Sequence, residues 1–170
     1  MGSLADLLAT GERQTLDFFY VHLKDVCESD VDHLELLYNA SVLAHHALVS
    51  TQYTDQLATP ATLGTVLDHF VLDTTLLHDS VMMESAGAQC LVLAGFFQDQ
   101  MRRRHNIRWY AGLGASFFSR AADLERSADK ARLLSAISVG FEPWRRRYAR
   151  LSRDLRDRPY LLPPPPSQPR

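Results

Sequence analysis

The residues best suited to chemistry lie in the first half of the chain. His45 and His46 are adjacent, and His69 and Asp73 stand four apart, a spacing that puts two side chains on one helix face. Imidazole and carboxylate together form the donor set of a metal site or an acid–base pair. Facing helices of a bundle can build such a site from inward-pointing side chains. The Glu-x-x-His pair of di-iron bundles is absent, however. No HExxH helix, nucleophile elbow, phosphate loop or dinucleotide fingerprint occurs. A histidine at the end of an apolar stripe is more often a hydrogen-bonded boundary residue than a ligand. The reading as a metal binder or enzyme therefore rests on His45, His46, His69 and Asp73. It stands second to a non-enzymatic reading that assigns no catalytic residue and expects no cofactor.

A second group is cationic. Arg102, Arg103 and Arg104 are consecutive and are followed by His105 and Trp109. Arg145, Arg146 and Arg147 form another triplet, which Arg150, Arg153 and Arg156 continue at helical spacing. Such clusters suit a protein partner, nucleic acid or an anionic membrane surface. Solvated helix ends explain the same residues, because arginine near a helix C-terminus complements the dipole. Asp154 and Asp157 also dilute the second cluster. Nucleic-acid binding would need both clusters on one continuous face and a steep salt dependence.

Helices must position all of these residues. Apolar residues recur at three- and four-residue spacing along most of the chain and no run alternates with period two, so the fold class is all-α. The first helix is expected over 3–27, with a break near Thr10-Gly11, and the second over about 31–53, entered through Ser29 and Asp32. Thr59-Pro60 is a capping residue followed by proline at the first helical position, the clearest start signal in the chain. The helix it opens should end near His78-Asp79. Ser80 then caps a central apolar helix, whose small residues Gly87, Ala94 and Gly95 predict close approach of another backbone.

Beyond the arginine corner, Asn106 caps a helix with a stripe of Tyr110, Leu113, Gly114, Phe117, Ala121 and Leu124. Ser127 caps the next, and Pro143 predicts a kink or a fresh start. The last helix carries a narrow stripe of Trp144, Tyr148, Leu151 and Leu155 amid its arginines. The expected core includes Leu91, Leu93, Phe97, Tyr110, Leu113, Phe117 and Phe70.

The 170 residues suffice for one domain with a real core. The expected division is a bundle of six or seven helices over 1–158 and an extended or disordered proline-rich tail over 159–170. Cys27 and Cys90 give neither metal spacing nor a disulfide framework, and no secretory signal is visible, so a cytoplasmic location is expected. No apolar run is long enough to span a bilayer. The net charge of -2 conceals a division: residues 1–100 sum to -12 and residues 101–170 to +10. Opposite halves of this kind favour self-complementarity, within one chain or across a homo-oligomer, over attraction of a polyanion.

Gly87 with Leu91, Ala94-Gly95-Phe96-Phe97, the arginine triplet at 102–104, Trp109-Tyr110 and Leu113-Gly114 together resemble an uncharacterised family of bacterial helical proteins. That family tends to show a Gly-Asp pair, a Gly-Phe-Phe segment, paired arginines and a Tyr-Tyr pair. Here Ala88 stands where the Asp is expected, and Trp109 replaces the first Tyr. The resemblance implies a bacterial helical protein and supplies no catalytic residue. The leading functional expectation is thus a non-enzymatic module acting through self-association or a protein partner. Its candidate interaction residues are Arg102, Arg103, Arg104, Trp109, Arg145, Arg146 and Arg147, with nucleic acid as a further alternative.

Overall fold

Short polar side chains set where the helices begin. Asp32 accepts the Glu35 amide at 3.0 Å, Asn106 the Trp109 amide at 3.2 Å and Ser127 the Lys130 amide at 3.4 Å. Each satisfies a first-turn N–H that has no partner within the helix, an effect worth about 1 kcal/mol. The central helix departs from expectation by one residue. Asp79, not Ser80, is its cap, accepting the amides of Val81 and Met82 at 2.9 and 3.2 Å. The Ser80 hydroxyl instead donates to the Ala121 carbonyl at 3.2 Å and to Glu125 at 3.3 Å. The expected break at Thr10-Gly11 is absent, because the first helix runs through it.

The computed structural model describes residues 4–52, 78–103 and 105–157. The predicted start at Thr59-Pro60, the helix after it, Phe70, His69, Asp73, Arg104 and the proline-rich tail lie outside the described residues. The described residues form an all-α bundle of seven helices without a strand. These are α1 (Leu4–Val26), α2 (His33–Gln52), α3 (Ser80–Leu91), α4 (Gln98–Met101), α5 (Ile107–Leu124), α6 (Ala128–Val139) and α7 (Phe141–Asp157), with a π-helical turn (Val92–Phe96) between α3 and α4. No helix among them is long and apolar enough to cross a membrane.

The last helix lies at the centre of the packing. Pro143 marks a fresh start: Gly140 closes α6, Phe141 opens α7, and proline falls in the first turn, where a missing N–H costs nothing. Three residues of the narrow stripe of α7 are internal, with Trp144 1%, Tyr148 0% and Leu151 1% exposed, and Leu155 is partly buried against the core. Burying indole and phenol requires partners for their polar ends, and α2 supplies them. Tyr148 donates to the Asn39 side-chain oxygen at 2.8 Å, the Asn39 amide donates to the Glu35 carbonyl at 2.8 Å, and the Trp144 indole donates to the Glu35 carboxylate at 3.1 Å. These contacts fix α7 alongside α2 in register.

Two glycines admit their neighbours at a distance no side chain would allow. A Cβ on Gly95 would lie 2.7 Å from the Tyr148 Cβ and 3.0 Å from the Arg145 carbonyl, so the π turn meets the backbone of α7 there. A Cβ on Gly114 would fall 2.5 Å from the Phe141 ring and 2.7 Å from the Cys90 Cβ. Of the expected core, Leu91, Leu93 and Phe117 are buried, whereas Phe97, Tyr110 and Leu113 pack at its margin. Phe118, outside the expected stripe, is completely buried, and its ring covers Gly87.

Candidate anion-binding surface

Because α7 turns its apolar side inward, its remaining face is arginine. Arg146, Arg150 and Arg153 follow at four and three residues, a row along one side of a helix, and all three are exposed. The neighbouring arginines of the triplet do other things. Arg145 has only 13% of its side chain exposed. It is held by Glu142 through Nε at 2.8 Å and Nη2 at 2.5 Å, and it donates to the Ala94 carbonyl and to Gln98 at 3.3 and 2.9 Å. Arg145 therefore fastens α7 to the π turn and is unavailable to a partner, which corrects its place among the candidate interaction residues. The Arg147 guanidinium lies 4.5 Å over the Trp144 ring, and its charge is felt at Cys27, just past the end of α1, so it belongs to the other flank of the helix.

The second arginine cluster begins where α4 ends. Arg102 and Arg103 are exposed at the corner, and Arg108 and Trp109 follow in the first turn of α5, with Trp109 51% exposed. Asp99 on α4 joins this corner to α7. Its carboxylate pairs with Arg156 and, at 4.0 Å, with Arg102, while Arg153 lies within electrostatic reach. The hydrogen bond from Arg156, followed by the charges of Arg156, Arg153 and Arg102, holds the Asp99 carboxyl below its usual range. Arg102 of the corner and Arg153 and Arg156 of α7, some 50 residues apart in sequence, thus meet around one acid. Arg150, Arg153 and Arg156 were legible as helical spacing, but Asp99 carried only the weak signal of an acid three residues before Arg102.

Of the histidine candidates, His45 and His46 lie among the described residues. His45 is exposed, whereas His46 is half-buried with its ring edge-on to Phe97 at 5.6 Å between centroids. Adjacent helical residues point about 100° apart, so the pair cannot close on one ion. Burial, and then the neighbouring His45 charge, lowers the His46 pKa, and its Nε2 has no hydrogen-bond partner among the described residues. His69 and Asp73 lie outside the described residues, among which no group of three His, Cys, Asp or Glu side chains could hold a metal.

Another titratable cluster joins four elements. Glu84 accepts from the Tyr38 hydroxyl at 2.9 Å and from Lys130 at 2.9 Å, and Lys130 also lies 3.8 Å from Glu125. Burial raises the Tyr38 pKa, and the hydrogen bond to Glu84 raises that of Lys130. Both shifts move away from neutrality, the reverse of what general acid–base work requires, so this cluster is a staple between helices. The Cys90 thiol is fully buried and pushed up to about 12 by burial, which leaves no thiolate nucleophile.

No family model, curated protein or solved structure matches this chain.

Proposed function

We propose that this protein is a non-catalytic binding module that holds an anion-rich partner on the arginine surface formed by the α4 corner and α7. One observation carries this reading. Asp99 is shared between Arg102 on one element and Arg156 on another, with Arg153 beside them. A single surface of this size acts locally, whatever the net charge, because screening at physiological salt confines each charge to about 8 Å. The acidic residues of α1 and its corner (Asp17, Asp25, Glu28, Asp30) make no ion pair with it among the described residues.

Fluorescein-labelled poly-L-glutamate tests the reading, with binding followed by anisotropy between 50 and 200 mM salt. Binding should weaken steeply as salt rises and be lost in Arg150→Glu/Arg153→Glu. Asp99→Asn removes the acid shared by Arg102 and Arg156 and frees both, so it should tighten binding several-fold. Affinity indifferent to salt, or unchanged in the double variant, would remove the arginine surface from the function.

A further inference from the structure

We infer that the partner of this surface is single-stranded nucleic acid, an inference that rests on the anion-binding reading above and names its ligand. The first ground is what the surface lacks. Stable contacts between folded proteins are built around an apolar or aromatic centre with a polar rim. On α7 the apolar side chains that could provide one, Trp144, Tyr148 and Leu151, are committed to the core. A row of Arg146, Arg150 and Arg153 is left, continued by Arg156 and by Arg102 and Arg103. A phosphodiester chain needs no apolar centre, because neutralising its phosphates releases condensed counterions. The row is also extended: on a helix rising 1.5 Å per residue, Arg146 to Arg153 spans about 10 Å before the corner adds its own arginines.

The second ground is Trp109. It is one of two tryptophans, and the other, Trp144, is buried with its indole N–H bonded to Glu35. Trp109 is half exposed, and its ring is braced edge-on against Tyr110 at 4.9 Å between centroids. Arg108 precedes it, and Arg102 and Arg103 sit on the same corner. An exposed aromatic side chain in an arginine-rich segment is a composition with which unpaired bases can be stacked while the backbone is held by charge. In a duplex the faces of the bases are occupied by neighbouring bases.

The test compares four probes on the full chain by anisotropy: a fifteen-nucleotide oligo-dT, oligo-rU of the same length, a duplex of the same length, and poly-L-glutamate. Trp109→Ala and Arg150→Glu/Arg153→Glu are surface changes, checked by thermal melting. Both single strands should bind more tightly than the duplex. Trp109→Ala should weaken them about tenfold, in the range that stacking supplies, and leave poly-L-glutamate unaffected. The arginine variant should abolish binding and flatten the salt dependence. A preference for oligo-rU over oligo-dT would identify RNA as the natural strand. Poly-L-glutamate bound and oligonucleotides ignored would overturn the nucleic-acid inference while leaving the arginine surface standing for an acidic protein. Duplex bound as tightly as single strand, or no effect of Trp109→Ala, would likewise overturn it. Loss of every probe would overturn both readings.

Discussion

At the scale of single residues, His46 is the side chain whose environment makes the sharpest demand. Its ring is half-buried against Phe97, its Nε2 has no partner among the described residues, and burial holds its pKa below the ordinary 6.5. The folded chain therefore keeps this imidazole neutral at a pH where the unfolded chain protonates it. The unfolded state then binds the extra proton, so stability falls as pH drops below 6.5 and levels off once the folded ring is protonated too. Carboxylates act later. Asp99 and Glu142 are held below their ordinary 3.8 and 4.5, chiefly by Arg156 and Arg145. Their contribution is complete above those ordinary values and is lost as pH falls through the lower folded ones. Acid should thus weaken the protein in two stages. His46→Gln should flatten the first and spare the second, as followed by melting temperature across pH. Identical curves for the variant and the parent would show that His46 does not titrate differently on folding. The sequence named His46 as a possible ligand; it could not say that His45 points to solvent and His46 into the protein, because adjacency fixes their angular offset but not which direction is inward.

At the scale of elements, most of what depends on neighbours within a turn or two was legible, the exceptions being the cap at Asp79 in place of Ser80 and the unbroken helix through Thr10-Gly11. Asn106 and Ser127 cap as their positions suggest, Pro143 marks a new helix, and the narrow stripe of Trp144, Tyr148 and Leu151 is buried as a terminal helix packed by its apolar side requires. Features that depend on distant contacts were not legible. The apolar run after Ser80 is not one continuous α-helix. It passes into a π turn at Val92, where the Phe97 amide reaches back to the Val92 carbonyl at 3.1 Å. That turn lies where Gly95 meets the backbone of α7 and where Arg145 binds the Ala94 carbonyl, two contacts supplied by residues some 50 positions away. A π turn often marks a functional position; here it delivers α4, and with it Asp99, to the C-terminal part of α7. Gly95→Leu tests that geometry. The neighbour on one side is main chain and cannot yield cheaply, so overpacking should cost about 1–3 kcal/mol in urea unfolding. The same shift should also weaken anion binding by moving Arg102 of the α4 corner away from the arginines of α7. Unchanged stability would mean that α7 does not cross at Gly95.

At the scale of the whole molecule, the opposite charges of the two halves remain largely uncombined. Ion pairs between the halves among the described residues end on Glu84 and Asp99 alone, from Lys130, Arg102 and Arg156. Among the described residues the expected complementarity within one chain is therefore partial, and Arg150 and Arg153 of α7, which make no ion pair there, stay available to other molecules, including a second copy. Such an association would be weak. Exposed ion pairs contribute about 0–1 kcal/mol each, whereas a specific interface buries roughly 800 Å² per partner around an apolar centre. The large apolar residues exposed among the described ones, Val21, Leu34, Leu37, Val81, Trp109 and Val139, are spread over five helices. Association through the arginine surface should accordingly appear in sedimentation equilibrium only at low salt. At about 150 mM, where charges are felt over roughly 8 Å, that contact should dissociate at micromolar concentration. Arg150→Glu/Arg153→Glu should abolish the low-salt association, and a bound oligonucleotide should displace it, since one row of arginines cannot serve two polyanions at once. A dimer that survived both salt and the double variant would place the self-contact on another face, leaving the arginine surface free for its ligand.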